Sequence, residues 1–429
     1  MQITIFAAGS RGDIQPCIAL GRGLQRAGCR VRLAAPQDFA AFVQAQGVDF
    51  WPLRGDVQQA MASDTGRQFM ETGGANPFQS MRAMRALITP VALQMAEDAA
   101  AACCDADAIL CLGVLAAFGA AIAQVRGLPL LLFEPTPLLP TRAFPAPGWP
   151  LQRNLGGWLN RLSGAAMLRV LWYWYAPGVN AFRARLGLPG AAAAGFVHTL
   201  RTTPLIAAYS PAIIPPPQDW PEHVHLTGYL FLEERAAWQP PPDLLAFLET
   251  GPPPVYIGFG SMAGRDPAQL AHLVIEALAA CGQRGLLLTG WGGLQAETVP
   301  DTVYVLDAAP HSWLFPRMAA VVHHGGAGTT AEGLRAGVPA VIVPFAFDQF
   351  FWGARVQALG LGPAPIPRKQ LTAARLAGAI HKAVTDPTIR QRAVACGQAI
   401  RAEDGVGRAV AVVNHYLSNG TPGKKAQAQ

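Results

Sequence analysis

The chain has 429 residues, of which 51% are hydrophobic and 14% are charged. This composition can bury sizeable cores and excludes an intrinsically disordered chain, and the length favours two domains. The net charge of +6 comes mostly from scattered arginines rather than from a dense basic stripe. It favours anionic ligands or an anionic membrane surface, and nucleic acid is not an expected partner.

The seven cysteines are dispersed, and none has the spacing of a metal site. We expect reduced thiols in a cytoplasmic protein. The apolar run at residues 108–125 is rich in Ala and Gly and is closed by Gln124 and Arg126. We interpret it as a buried strand followed by a packed helix, not as a membrane span.

The first half alternates short apolar runs with helical stretches. Residues 3–8 are a predicted buried strand, 9–16 a loop and 16–27 a helix, and further strands are predicted at 31–35, 109–112 and 128–133. Strands that alternate with helices predict a parallel, doubly wound sheet. The following residues, 135–200, carry many prolines and a dense aromatic stretch, and they form the least regular predicted segment.

The second half restarts this rhythm, with predicted strands at residues 255–259, 286–289, 303–306, 320–323 and 340–344 and helices at 267–281 and 330–336. The predicted fold is α/β, with two doubly wound, Rossmann-like domains that face each other across a cleft. The predicted divisions are an N-terminal acceptor-binding domain at 1–232, a proline-rich linker at 233–253, a C-terminal donor domain at 254–417 and a disordered tail at 418–429. The last helices before the tail are candidates to pack back on the N-terminal domain.

The strongest motif is the run HHGGAGTT at residues 323–330, between a predicted strand and a predicted helix. Its glycines let the backbone approach a ligand closely, and the N–H groups and dipole of the helix start favour a phosphate. His324 can donate a further hydrogen bond to a diphosphate oxygen. The alternative is a tight turn that only caps the helix. Adjacent histidines do not predict a metal site, because neighbours in a strand point to opposite faces and no third ligand is spaced to join them.

The run HHGGAGTTAEGLRAGVPAVIVPFAFDQFFWGARV, which starts at His323, resembles the donor-binding signature of UDP-glycosyltransferases with the GT-B fold. The segments GSRGDIQPCIALGRGL (9–24) and PPPQDWPEHVHLTGY (215–229) are similar to one branch of that superfamily. This branch contains sterol glucosyltransferases, antibiotic glycosyltransferases and the rhamnosyltransferases of glycolipid synthesis. The similar segments span the whole chain in the right order.

The resemblance implies donor-binding roles for individual residues. Contacts to the diphosphate are implied for Ser261, His324, Gly326, Gly328 and Thr329. Glu332 is implied to accept hydrogen bonds from the ribose hydroxyls, as one carboxylate can do for two neighbours; its alternative is a solvated helix residue. Asp348 and Gln349 match the pair that binds the hydroxyls of the transferred sugar.

One position departs from the pattern of plant relatives, which stack a tryptophan on the uracil. Here that region reads DAAPH at 307–311 and holds no aromatic ring of that kind. Trp291 is the candidate for stacking on the base, with core or interdomain packing as its alternative. The nucleobase and the sugar are therefore left open at this stage.

A second chemical site is predicted in the loop after the first strand. Transfer of a sugar to a hydroxyl needs a base that takes the hydroxyl proton. In the branch that this chain resembles, an Asp stands three residues before a Pro, which matches Asp13 and Pro16. The alternative is an Asp that caps a helix starting near Ile14. Ser10 and Arg11 lie beside the same predicted site as phosphate contacts, and a surface salt bridge is the alternative for Arg11.

The aromatic and proline-rich middle is the predicted site of the acceptor. The candidate pocket residues are Phe144, Trp149, Trp158, Trp172 and Trp174. Each of these types alone is more often core than pocket. With the basic balance of the chain, a lipid-like acceptor met at the inner face of a membrane is a further expectation.

The sequence thus predicts an inverting, metal-independent glycosyltransferase with no cofactor other than its nucleotide-sugar co-substrate. The expected reaction moves glucose from UDP-glucose to a hydroxyl of a sterol, lipid or polyketide. Alternatives are rhamnosyl or other deoxysugar transfer from a dTDP-sugar, and a non-catalytic protein that binds nucleotide sugar or lipid. A dinucleotide oxidoreductase is disfavoured because no GxGxxG follows the first strand. The oligomeric state is not predicted.

Overall fold

A computed structural model describes residues 1–55, 77–149, 152–233, 238–260, 267–289 and 299–418. The chain divides into two compact units. The first comprises Met1–Ala146, Asn154–Ala236 and Asp404–Gln429, and the second comprises Pro147–Arg153 and Ala237–Glu403. Both units have the predicted α/β architecture.

The first unit is built on a parallel sheet of seven strands. The strands are β1 (Gln2–Phe6), β2 (Arg30–Pro36), β3 (Asp49–Leu53), β4 (Ala108–Leu112), β5 (Leu130–Glu134), β6 (Leu205–Ala207) and β7 (Val224–Leu226). Their order in the sheet is β3-β2-β1-β4-β5-β6-β7. The three strands at its centre, β1, β4 and β5, are buried along their whole length, as near-continuous apolar runs of a parallel sheet covered on both faces should be.

The helices of the first unit cover both faces of this sheet. They are α1 (Arg11–Arg26), α2 (Ala40–Ala45), α3 (Pro77–Ala102), α4 (Ala116–Arg126), α5 (Gly157–Arg185) and α6 (Ala193–Thr202). Within the described residues, no helix combines the length and the apolar composition that a membrane span requires.

Two predictions about the first unit were wrong in detail. The segment predicted as a loop before Pro16 is already helical, since Ser10 is the N-cap and Asp13 completes a capping box with it. The segment predicted to be least regular contains the 29-residue helix α5, which carries the aromatic stretch. Pro16 and Pro177 lie inside these helices, where each costs one backbone hydrogen bond but does not end the helix.

The second unit is built on a parallel sheet of five strands. They are β8 (Val255–Gly258), β9 (Gly285–Leu288), β10 (Val303–Leu306), β11 (Ala320–His323) and β12 (Ala340–Ile342), in the order β10-β9-β8-β11-β12. Its helices are α7 (Pro242–Glu249), α8 (Pro267–Ala280), α9 (His311–Leu314), α10 (Ala327–Ala336), α11 (Gln349–Ala358), α12 (Ala373–Thr385) and α13 (Pro387–Arg401).

The segment predicted as a linker is partly folded onto the second unit. Helix α7 lies inside it, with Leu244 fully buried. Phe247 of this helix packs against Tyr304 with ring centroids 5.4 Å apart, and the Arg284 guanidinium lies 4.1 Å from the Phe247 ring. These contacts attach residues 242–249 to the second unit.

The last described helix, α14 (Gly405–Ser418), belongs to the first unit. It packs on α1 at Gly23, where an added methyl group would lie 2.5 Å from Val406 and 2.9 Å from Val410. Ala409 and Val413 of α14 are fully buried in the first core. The residues predicted as a disordered tail, apart from Ser418, lie outside the described chain.

Each sheet has one point where the chain reverses its direction of winding. In the first, the chain winds from β1 out to β3 and resumes on the other side of β1 with β4. In the second, it winds from β8 to β10 and resumes beside β8 with β11. The carboxyl ends of strands at such points are where doubly wound folds bind ligands. Asp13, in the first turn of α1, lies there in one unit, and His324, in the loop after β11, lies there in the other.

Candidate active site

The Asp13 carboxylate folds back over the loop that follows β1. Its Oδ2 accepts hydrogen bonds from the Ser10 backbone N–H at 2.7 Å and from the Ser10 hydroxyl at 3.0 Å. Gly9 makes this possible, because its φ of +133° suits glycine and a side chain there would lie 2.3 Å from Oδ2. The loop therefore holds the half-buried carboxylate in one orientation at the edge of the sheet.

Asp13 takes part in capping, but as the third residue of a helix that begins at Arg11 and has Ser10 as its N-cap, not as the cap of a helix that starts near Ile14. Capping and catalysis do not exclude each other. A capping box bonds one carboxylate oxygen to the N-cap residue and presents the side chain at the exposed start of a helix. The cap gives a base of this kind a fixed position.

Sequence reasoning missed a second carboxyl group near Asp13. Glu134 ends β5, is only 5% exposed, and its Oε1 has no hydrogen-bond partner among the described residues. It lies against the end of β4, where a methyl group on Gly113 would be 2.2 Å from Oε1. The signal was visible as the one charged residue closing the apolar run LLLFE.

Burial raises the pKa of Glu134 well above its usual value, and the negative charge of Asp13 raises it further. The backbone amides of Gly113 and Val114 act in the opposite direction. Desolvation is the largest cause, because burial in a low-dielectric interior penalises the charged carboxylate. The same two causes, burial followed by the charges of Asp13 and Glu134, raise the pKa of Tyr175 to about 12. The first unit therefore holds, close to the predicted base, a carboxyl group whose neutral form is favoured by burial.

Arg11 is engaged within the first unit. Its Nε donates to Gln15 Oε1 at 3.0 Å, and its guanidinium lies 4.5 Å from the Phe42 ring centroid. These contacts hold the Arg11 side chain against the surface of its own unit. The predicted role of Arg11 at a phosphate stays a prediction.

The glycine-rich loop of the second unit connects β11 to α10. Gly326 is the N-cap of α10, and no side chain caps this helix. The N–H groups of Ala327, Gly328 and Thr329 therefore form an uncapped helix start of the kind that binds phosphate. Gly325 has a φ of +89°, and a side chain there would lie 2.6 Å from Ile342 and 3.1 Å from the Gln349 carbonyl oxygen.

The two histidines of this loop have different surroundings. His323 is buried, and its Nδ1 accepts a hydrogen bond from the Gly325 N–H at 3.0 Å, which places the proton of the neutral ring on Nε2. The His324 ring lies over Gly326, where an added methyl group would be 2.5 Å from Nε2. His323 thus shapes the loop, while the His324 ring lies over the N-cap of α10.

Burial lowers the pKa of His324 to about 4 and lowers that of His323 well below its usual value. The neighbouring His324 and His311 contribute further to the shift of His323. Both rings are therefore neutral near pH 7. A neutral imidazole still carries one N–H donor, so His324 can hydrogen-bond an anion without being charged.

Residues of α10 behind this loop are buried. Thr330 and Glu332 are 1% and 8% exposed, and a Glu332 carboxylate oxygen lies 4.0 Å from the Arg335 guanidinium. The alternative of a solvated residue at position 332 was therefore wrong.

Asp348 and Gln349 lie next to the glycine-rich loop, because the Gln349 carbonyl oxygen is close to Gly325. The Gln349 side-chain oxygen accepts from the N–H groups of Phe345 and Ala346 at 2.8 and 3.1 Å. Asp348 accepts from the Trp352 indole N–H at 2.9 Å. Phe347, which directly precedes Asp348, has a φ of 54°. This is a strained backbone conformation, and such conformations concentrate at binding sites. The structure thus brings the predicted diphosphate and sugar residues into one cluster.

Two predicted donor residues, Ser261 and Trp291, lie outside the described residues. Gly260, directly before Ser261, is close to the loop, since a methyl group on it would lie 3.8 Å from the His324 ring. In the region without the plant-type tryptophan, His311 stacks on Phe315 with centroids 4.3 Å apart.

The predicted acceptor aromatics are not brought into one pocket. Trp158 and Trp172 lie on the same helix, α5, about 21 Å apart along its axis. Trp158 is 70% exposed, and Trp172 stacks on Phe196 at 5.9 Å. Phe144 packs edge-on against Trp220 at 6.2 Å. The remaining two are Trp149, within the segment that groups with the second unit, and Trp174, whose indole N–H is buried.

Among the described residues, no three His, Cys, Asp or Glu side chains lie close enough together to hold a metal ion.

Comparison with protein families gives two matches that lie in order along the chain. Residues 3–123 match the glycosyltransferase family 28 N-terminal domain. Residues 292–405 match the erythromycin biosynthesis protein CIII-like C-terminal domain. The matches contain Asp13 and the 323–330 loop, respectively.

Curated relatives and solved structures give the same assignment. A sterol 3-beta-glucosyltransferase of Arabidopsis thaliana is 37% identical over 97% of this chain, which covers 68% of that protein. One from Aspergillus fumigatus is 34% identical over 97% of this chain but is much longer, and the chain spans 30% of it. The crystal structure of the glycotransferase of kitacinnamycin superposes over 96% of this chain and 98% of its own, with a TM-score of 0.71 at 22% identity. The chain therefore belongs to the family of GT-B glycosyltransferases that includes the sterol 3-beta-glucosyltransferases.

Proposed function

We propose that this protein transfers glucose from UDP-glucose to the hydroxyl group of a sterol or a similar apolar acceptor, with inversion at the anomeric carbon. The observation that carries the proposal is the cluster around Gly325, where an uncapped helix start, the His324 ring and the Asp348–Gln349 pair meet. The similarity to sterol glucosyltransferases over nearly the whole chain supports the acceptor class.

In the proposed reaction, Asp13 takes the proton of the acceptor hydroxyl while its oxygen attacks the anomeric carbon of the donor. The bond between that carbon and the β-phosphate oxygen breaks, and UDP leaves. The ionised carboxylate of an Asp is a weak base, so much of the acceleration comes from positioning and from stabilisation of the leaving group.

The leaving diphosphate is stabilised by the N–H groups of residues 327–329, by the α10 dipole and by the His324 N–H. We propose that these groups suffice without a metal ion. Gln349 is held by two backbone N–H groups through its oxygen, which leaves its NH₂ group to donate to a sugar hydroxyl. Ser261, Trp291 and Glu332 complete the proposed donor set at the phosphate, base and ribose, with Ser10 and Arg11 beside the leaving group. The proposed site of action is the cytoplasm, at the inner face of a membrane.

The test is a matrix of donors and acceptors. Purified protein is incubated with UDP-glucose, UDP-galactose, dTDP-glucose or dTDP-rhamnose, each with a sterol, a hydroxylated lipid and a polyphenol, with and without EDTA. Mass spectrometry should find one added hexose on the sterol with UDP-glucose, unaffected by EDTA. A deoxyhexose added only from dTDP-rhamnose would replace the glucosyl assignment. Binding of UDP without product or donor hydrolysis would show a binding protein.

A further inference from the structure

One stretch, most of which belongs to the first unit, carries positive charge without any compensating acid of its own. Residues 135–218 contain seven arginines and no Asp, Glu or Lys. All 27 acidic residues of the chain lie outside this stretch. Arginine stays charged at every physiological pH, so the surface formed by this stretch is permanently cationic.

The first turns of α5 expose an apolar strip within that stretch. Trp158, Leu162 and Leu159 are 70%, 50% and 38% exposed. With 3.6 residues per turn, Trp158 and Leu162 lie about 40° apart around the helix, and Arg169 projects within about 20° of Trp158. Arg161 and Arg169 are also exposed, and within the described residues neither forms an ion pair. Large apolar side chains and free cations therefore share one helix face.

The opposite face of the same turns is firmly anchored. Asn160 is fully buried; its side chain accepts from the Leu155 N–H at 3.0 Å and donates to the Arg142 carbonyl at 3.0 Å. Ser163 accepts from the Ala146 N–H at 2.9 Å. These hydrogen bonds fix the inward side of the helix start. The apolar strip is therefore the outward side of an ordered helix and not part of a frayed helix end.

The anchoring also brings a third arginine to the strip. A methyl group on Gly157 would lie 3.4 Å from the Arg142 side chain, which is exposed. The acidic residue near Arg142 is Asp219, whose carboxylate accepts hydrogen bonds from the Thr141 hydroxyl at 2.6 Å and the Arg142 N–H at 2.9 Å, and its single negative charge does not offset the three arginines. Arg185, at the far end of α5, pairs with Glu97. The negative groups near this helix therefore leave the strip cationic.

We propose that this face, the α5 patch (Trp158, Leu159 and Leu162 with Arg142, Arg161 and Arg169), docks the protein on an anionic phospholipid bilayer. Trp and Leu enter the boundary between headgroups and acyl chains, where an indole is favoured. The arginines bind lipid phosphates, to which guanidinium is well matched. The docking does not depend on the transfer reaction, but it places the protein where an apolar acceptor dissolves.

The test measures sedimentation of the full-length protein with vesicles, without any donor. Vesicles of phosphatidylcholine alone are compared with vesicles containing about one third phosphatidylglycerol. We expect at least about tenfold tighter binding to the anionic vesicles, weakened by salt. Trp158→Ser with Leu162→Ser, and separately Arg161→Glu with Arg169→Glu, should each lower that affinity by about tenfold or more.

Matched controls lie on the second unit. Val394 is 49% exposed, so Val394→Ser removes a comparable apolar group, and Lys382→Glu with Arg390→Glu reverses two exposed charges. Both should bind vesicles like the wild type. Thermal unfolding and UDP affinity identify a variant that has lost its fold. The proposal fails if the wild type does not prefer anionic vesicles, if the controls lose as much binding, or if the Trp158 and Leu162 changes abolish only self-association.

Discussion

The two units bury titratable groups of opposite kinds near the points where their sheets reverse winding. In the first unit, a carboxyl group, Glu134 at the end of β5, is buried and its pKa is raised. In the second unit, two imidazoles, His323 at the end of β11 and the adjacent His324, are buried and their pKa values are lowered. In each case burial favours the neutral form of the group, whereas Asp13 is half-buried at the start of α1.

This difference divides the proposed chemistry between the units. The first needs a proton acceptor, and it presents the Asp13 carboxylate at the start of α1 while burial favours the neutral form of Glu134. The second needs to stabilise a leaving diphosphate, and it relies on uncharged donors: backbone N–H groups and a neutral ring. Uncharged donors that are already oriented need no reorganisation as charge develops.

The largest effect is expected from Asp13→Asn. Removing a general base lowers a rate by about 10²–10⁴-fold, while the amide oxygen of Asn still accepts from the Ser10 N–H and preserves the cap. Steady-state transfer rates should fall in that range, and UDP affinity from calorimetry should stay unchanged. Asp38→Asn, at an exposed position of the same unit, is the control and should keep full activity. Loss of UDP binding would instead make Asp13 structural.

Acid should destabilise the protein through the buried imidazoles of the second unit. The pKa of His324 is lowered from 6.5 to about 4, so below pH 6.5 the unfolded chain binds more protons than the native protein. The neutral His324 ring stabilises the native protein fully above pH 6.5. This contribution, roughly 3 kcal/mol for this one group, is lost as the pH falls towards 4. Melting temperatures measured across this window should fall less in His324→Gln than in the wild type. Equal slopes in both proteins would show that His324 is not buried in neutral form.

Gly325→Ala tests the backbone of the glycine-rich loop. The methyl group would meet Ile342 at 2.6 Å in a conformation with positive φ, and such strain costs about 1–3 kcal/mol. We expect a lower melting temperature and at least about tenfold weaker UDP binding, since the loop must shift. Gly378→Ala lies in α12 with open space around it and should stabilise by roughly 0.5–1 kcal/mol. Unchanged UDP affinity in Gly325→Ala would remove this loop from the donor site.

The sequence predicted the sheets better than the helix starts. Strands 303–306 and 320–323 were correct to the residue, because buried parallel strands are short apolar runs with sharp ends. Helices α1 and α10 begin earlier than predicted. Ser10 and Gly326, the latter directly after Gly325, are the N-caps of these helices. Apolar periodicity does not reveal such polar or glycine-rich first turns.

The cluster around Gly325 could be predicted from local motifs and from the resemblance, whereas the surroundings of Asp13 depend on tertiary contacts. His324 and Gly326 lie in a loop that follows from the order of strand, loop and helix in the chain, and Asp348 was predicted from the family resemblance. Glu134 was missed since its relation to Asp13 passes through β4, which lies between their strands in the sheet. The aromatic pocket was wrongly grouped, because closeness in sequence on a helix of 29 residues separates side chains by many turns.

The smallest effect is expected from Glu134→Gln, which tests the pH dependence of stability in the first unit as His324→Gln tests it in the second. With its pKa raised by burial, Glu134 supports the fold fully below its ordinary value of 4.5 and loses that contribution as the pH rises through its native pKa. Gln is neutral at every pH, so the variant does not lose this contribution. Between pH 5 and pH 8 its melting temperature relative to the wild type should therefore rise, by about 2–4 °C for each kcal/mol that the wild type loses. Glu222→Gln, at an exposed position of the same unit, should leave the pH dependence unchanged. If Glu134→Gln behaves like this control, the carboxyl group is ionised in the native protein and the contrast between the two units disappears.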